Sequence, residues 1–165
     1  MLLHDFNAAD AETAASVVSV WAAIPRWVDD VVAGRPYASV DALAERAAAL
    51  AATWTRDDLD IALAHHPRIG ERVTGEGAEA AASAREQSAM RTAESDVAAA
   101  IASGNAAYEQ RFGRVFLIRA AGRSPEEMRA ELERRLAGDD AAEAHEALGQ
   151  LGEIAILRLR GMIEP

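Results

Sequence analysis

"SPEEMRAELERRLAG", residues 124–138, reads as one helix from end to end. The Ser124 hydroxyl can cap its start, and Pro125 suits the first helical position. Glu127 lies three residues after Ser124, the spacing of a capping box, and Gly138 provides a stop. Met128, Leu132 and Leu136 recur every fourth residue. A helix turns about 100° per residue, so they line one face.

The same grammar extends in both directions. On the C-terminal side a helix is expected from about Asp140 to Met162, with Ala147, Leu148, Leu151, Ile154, Ala155, Leu159 and Met162 on one face. Upstream, Asn7 can cap a helix carrying Val17, Val18, Val20 and Trp21, and Pro25 interrupts it. "RWVDDVVAG" forms a short helix ending at Gly34, and "RPYAS" a linker. Ser39 caps an Ala-rich helix to about Trp54. Thr55 and Asp58 make a second capping box for a short helix with Leu59, Ile61 and Leu63. That helix must end near His65, because Pro67 pushes His66 out of the α region. A loop follows, then a long helix from about Ala78 to Ser103, broken by Gly104. Asn105 can cap a short "AAYEQRF" turn, and "VFLIRA" is a brief apolar run. The expectation is an all-α fold: a single-domain helical bundle over residues 1–165, of about seven to nine helices, with a loop after the His-Pro pair.

Composition narrows the chemistry. The 165 residues suit one core, and with only 5% aromatic residues Ala and Leu must fill most of it. A net charge of -10 argues against a nucleic acid or anionic membrane as partner. There is no cysteine, so disulfides and thiolate nucleophiles are excluded. All 17 basic residues are arginine, which excludes a Schiff-base, pyridoxal phosphate or P-loop lysine. The N-terminus lacks a secretory pattern, and no run of about 20 apolar residues could span a bilayer. A cytoplasmic location is expected.

Polar residues that break apolar stripes mark candidate sites. Arg158 projects from the stripe of the last helix, whereas Arg160 points the opposite way. Glu86 sits within the face formed by Ala82, Ala89, Met90, Ala93, Val97 and Ile101, with Ser83 on its edge. Three arrangements fit: a buried Glu86–Arg158 pair, an arginine that snorkels out at the helix end, or a polar pocket in which Arg158 binds an anion. His65 and His66 are adjacent, which is not the i, i+4 spacing of a helical metal pair, and no metal site is expected. A histidine at a helix end can be a solvated cap or a proton carrier. Gly70, Gly75 and Gly77 fit a turn-rich loop without forming a phosphate-binding glycine pattern.

Taken together, "AHHPRIGERVTGEGAEAAASAREQSAM", "GNAAYEQRFGRVFLIRAAGRSPEEM" and "EIAILRL" resemble the 2-oxo-4-hydroxy-4-carboxy-5-ureidoimidazoline (OHCU) decarboxylases. "FN", "RWVDDVVAGRPY" and the tryptophan before the His helix also fit, so the likeness runs through essentially the whole chain. It implies a carboxy-lyase of urate (purine) catabolism that makes (S)-allantoin from OHCU without a cofactor, usually as a homodimer. By motif, His66 and Glu86 are the catalytic residues. Pro67, Ser83, Glu86 and Gln87 contact the substrate, as do Phe116, Leu117, Ile118, Arg119 and Ala120 through their backbone, and Arg158 binds it. His65 is then a bystander. Two places depart from the pattern: Gly152, where related sequences tend to carry arginine, and Arg68-Ile69, where other branches carry Asp-Leu. The alternative is a non-catalytic helical module that binds a ureide or purine, or dimerises.

Overall fold

Nine α-helices form among residues 1–64, 66–71 and 77–165, which the computed structural model describes. They are α1 (Leu3–Ala8), α2 (Ala11–Trp21), α3 (Pro25–Ala33), α4 (Val40–Ala51), α5 (Arg56–Leu63), α6 (Ala78–Glu86), α7 (Ser95–Phe112), α8 (Pro125–Leu136) and α9 (Asp140–Met162). A 3-10 turn, Ser88–Thr92, lies between α6 and α7. The all-α expectation holds. The chain divides into two compact units, one of residues 1–62 with 151–165 and one of residues 63–150. No helix among the described residues is long and apolar enough to cross a membrane.

In the first unit most helix ends follow the sequence signals. Pro25 opens α3, and Ser39 caps α4 by accepting the Ala42 N–H. The Asp58 carboxylate accepts the Thr55 N–H at 2.8 Å ahead of α5. Burial alone would raise the Asp58 pKa. The hydrogen bonds from Thr55 and from Arg26 outweigh that and hold it below the ordinary carboxylate value. The first cap differs from expectation. Asp10, not Asn7, caps α2, accepting the Thr13 N–H at 2.8 Å. Asn7 lies inside α1, whereas Asp10 directly precedes α2. Asn7 instead exchanges two hydrogen bonds with the Tyr37 backbone, both 2.9 Å. The centre of this unit is aromatic. Phe6 lies 5.8 Å from Trp21, Trp21 6.5 Å from Trp27, and Trp27 5.5 Å from Trp54, centroid to centroid.

In the second unit α8 forms as its sequence dictates, with both halves of the Ser124–Glu127 capping box in place. The expected long helix over residues 78–103 is divided, with α6 ending at Glu86 and α7 starting at Ser95. The stripe that placed Glu86 in line with Val97 and Ile101 therefore does not exist as one face. Ala82, Ser83 and Glu86 share α6 alone. The expected break at Gly104 is also absent, since α7 runs unbroken through Gly104 and Asn105. Helix contact is the reason. A Cβ on Gly104 would lie 2.6 Å from Leu132 Cδ2, so glycine here lets α7 and α8 approach closely. Helix continuity costs about 1 kcal/mol relative to alanine at such a site. Asn105 is not a cap. It is buried, and its Nδ2 donates to the Ile69 carbonyl at 2.9 Å.

Candidate functional site

Arg68, Ile69 and Gly70, which follow His66 and Pro67, are each tied to a helix of the second unit. The Arg68 guanidinium grips the Glu109 carboxylate of α7 with two hydrogen bonds, one of them 2.9 Å from Nη2 to Oε2. Those bonds hold the Glu109 pKa below its ordinary value. The Ile69 carbonyl accepts from Asn105, and the Ile69 side chain is buried among Val97, Ile101, Phe116 and Ile118. The Gly70 N–H donates to Gln87 Oε1 at 3.0 Å. Gly70 has φ +82°, which glycine adopts without strain. The departure at Arg68-Ile69 therefore has a structural sense in this chain: one residue pairs with α7 and the other joins the core.

His66 sits just before this anchored stretch. It is half-buried, and its N–H donates to the Leu63 carbonyl at 3.2 Å, at the end of α5. Pro67 supplies no N–H and holds the preceding residue away from helix, so the chain leaves α5 at a fixed point. His65, Gly75 and the rest of residues 72–76 lie outside the described residues. Ser83 is buried on α6, Glu86 is half-buried at its last position, and Gln87 is its C-cap. The Gln87–Gly70 bond ties this helix end to the loop after His66.

The segment of Phe116, Leu117, Ile118, Arg119 and Ala120 follows the Gly113 C-cap of α7 and has no regular secondary structure. Phe116, Leu117, Ile118 and Ala120 are buried. Phe116, Ile118 and Ala120 share one apolar cluster with Ile69, Ile101, Tyr108, Met128 and Leu132, and Ala89 and Met90 pack against it. That cluster brings the residues after His66, the 3-10 turn and the apolar segment together. Arg158 belongs to the first unit. It is 5% exposed, and its Nη1 donates to the Val20 carbonyl at 3.0 Å. Its place in the apolar stripe of α9 is as expected, and so is the exposed Arg160, which pairs with Asp41 at 2.7 Å.

Several anchoring residues escaped the sequence reading. Arg135 and Glu143 are 2% and 3% exposed, and their side chains form a buried ion pair. The stripe test that found Arg158 would have found both. Arg135 lies seven residues after Met128 on α8, and Glu143 four before Ala147 on α9. Asn105 was hidden by the preceding glycine, which suggested a helix start. A cleft of about 250 Å³ is lined by Arg68, Ile69, Asn105, Glu109 and their neighbours, and by none of the expected site residues. Among the described residues no cluster of three histidine or acidic side chains is placed to hold a metal ion.

The fold has known counterparts. A crystal structure of an OHCU decarboxylase in the presence of (S)-allantoin is similar with a TM-score of 0.75 and 19% identity, over 93% of this chain and 98% of that one. A crystal structure of an (S)-allantoin synthase is similar with a TM-score of 0.71 and 17% identity, over 99% of this chain. The chain spans about half of that longer protein, 54%. At these identities the likeness establishes the fold. No curated protein sequence matches the chain. The OHCU decarboxylase family model matches residues 7–160, and on that extent the chain belongs to the OHCU decarboxylase family, a family of carboxy-lyases.

Proposed function

We propose that the reaction proceeds without a cofactor, through the substrate's own electron sink, with His66 moving the proton and Glu86 and Arg158 holding the substrate. In OHCU the carbon that bears the carboxylate also bears a hydroxyl and adjoins a ring C=N bond. When the C–C bond to the carboxylate breaks, CO2 leaves and the electron pair moves through the adjoining carbon onto the ring nitrogen. The nitrogen takes a proton, and a C=C enol remains. The enol hydroxyl then loses its proton as the ureido-bearing carbon gains one. Delivery to one face gives (S)-allantoin. Net uptake is one proton per CO2 released.

His66 is the proton carrier in this scheme, since imidazole exchanges protons in both directions near neutrality. Glu86 accepts hydrogen bonds from ureido or ring N–H groups. Arg158 offers a planar fork to the carboxylate. Ser83 and the amide NH2 of Gln87 supply neutral hydrogen bonds, and Gln87 Oε1 meanwhile accepts the Gly70 N–H. Pro67 sets the backbone of His66, and the backbone of residues 116–120 lines the substrate. The observation that supports this reading is the anchoring of Arg68, Ile69 and Gly70 directly after the His-Pro pair, which restrains the chain that carries His66. We read the chain further as a cytoplasmic homodimer, on the family resemblance and the acidic, cysteine-free composition.

The test generates OHCU in situ from urate and follows the circular dichroism of the allantoin formed. His66→Gln is expected to lower kcat by about 10²- to 10⁴-fold, the range of general acid–base catalysis, with the thermal unfolding curve unchanged. Parental rates in that variant would remove His66 from the mechanism.

A further inference from the structure

We propose that Arg135 and Gln150 are positioning residues for this reaction. Arg135 holds the carbonyl of Leu117 and Gln150 holds the N–H of Arg119, and between them they set the place of the backbone that lines the substrate. The inference rests on the reading that residues 116–120 line the substrate. It assigns what fixes them there.

The segment needs outside help because it has no helix or ladder of its own. A helix satisfies its backbone internally, but a buried irregular stretch must find partners elsewhere. Arg135 Nη1 donates to the Leu117 carbonyl at 2.8 Å, and Gln150 Oε1 accepts the Arg119 N–H at 2.9 Å. These two anchors stand two residues apart, on either side of buried Ile118, and each comes from a helix.

Arg135 is itself rigidly held. Its Nε lies 3.0 and 3.1 Å from the two Glu143 oxygens, and its Nη2 also donates to Glu143 Oε1. Its guanidinium carbon lies 4.7 Å from the centroid of the Phe116 ring. Tyr108 stands edge-on to that ring, with centroids 5.2 Å apart, and its hydroxyl donates to Glu143. A buried ion pair is a weak source of stability, since apolar side chains of similar volume often do as well. An apolar side chain, however, cannot direct a carbonyl. An ion pair with one donor left over, aimed at Leu117, can. Sites held by side chains on helices are placed more accurately than sites on free loops.

The experiment uses the full chain and the same coupled assay, reading kcat, KM and the enantiomeric excess of allantoin. Gln150 is half-buried, so its variants should fold. Gln150→Leu removes the acceptor, and Gln150→Glu keeps it. We expect Gln150→Leu to lower kcat by about 10- to 100-fold, the scale of a misplaced reacting group, and to lower the enantiomeric excess, with KM changed less. Gln150→Glu should recover most of both. Arg135→Lys, which keeps the charge and loses the fork, should act in the same direction wherever its unfolding curve shows a folded protein. Parental kcat and enantiomeric excess in Gln150→Leu would overturn the proposal, as would equal losses in Gln150→Leu and Gln150→Glu. The proposed reaction, of which that lining is one part, fails differently: His66→Gln would keep parental activity. An inactive His66→Gln beside a fully active Gln150→Leu would defeat the positioning proposal alone.

Discussion

The two units are both built of helices and have unlike centres. In the first, Phe6, Trp21, Trp27 and Trp54 form a chain of ring contacts. In the second, Tyr108 and Phe116 surround a buried guanidinium–carboxylate pair. Ring contacts add about 0.5–1.5 kcal/mol each beyond their buried area and leave backbone direction free. That is sufficient where helices meet, because each helix satisfies its own backbone. The segment over residues 116–120 has no such internal bonds, and there a buried arginine and a half-buried glutamine aim at single backbone atoms.

The contrast can be broken most strongly at Arg135. Arg135→Met leaves Glu143 buried without its cation, and the expected loss is about 3–5 kcal/mol by urea unfolding. The double variant Arg135→Met/Glu143→Leu should recover most of it. A single variant within about 1 kcal/mol of the parent, the range of an exposed pair, would show that the second unit gains nothing special from its ionic centre.

Next in size is a pair of glycines. Gly104→Ala forces a Cβ to 2.6 Å from Leu132 and should cost about 1–3 kcal/mol. Gly152→Ala in the first unit meets nothing within 4 Å and should stabilise by up to about 1 kcal/mol through helix propensity. Melting temperatures that move the same way in both variants would contradict the close α7–α8 approach.

The smallest effect appears only in alkali. Burial, then the Glu143 carboxylate, raises the Tyr108 pKa above its ordinary value of about 10. Burial also raises that of Tyr37, and arginines oppose the rise at both tyrosines, but no carboxylate adds to it at Tyr37. A tyrosine carries charge only after losing its proton. The folded chain keeps the proton where the unfolded chain has released it, so this stabilisation is complete below about pH 10 and is lost as pH rises beyond. Tyr108→Phe should flatten that alkaline fall more than Tyr37→Phe does. The reverse order in pH-dependent unfolding would mean that the Glu143 carboxylate has little influence on Tyr108.

Much of this was legible in the sequence because it is local. The caps of α8 and α4 and the stripe of α9 each depend on residues about a turn apart along the chain. The family motif singles out His66, Ser83, Glu86 and Gln87, and of these the structure ties Gln87 to the loop after His66. What stayed hidden depends on distant partners. Gly104 looks like a breaker until Leu132 is placed beside it, and Asn105 looks like a cap until Ile69 arrives. Asn7 lost its expected role to Asp10 because an extra helix, α1, takes Asn7 into its last turn. The extended helix drawn through residues 78–103 failed because alanine and serine give weak periodicity, and the change at Gln87 leaves no proline or glycine to announce it.

The tryptophan chain has an optical consequence. All three tryptophans of the sequence lie in the first unit, and the second has none. Indole emission therefore reports that half alone, whereas amide absorption reports helices throughout. Recording both signals along one denaturant titration needs no label and no substitution. Coincident midpoints would mark a single cooperative transition, and separated ones would give each half its own stability.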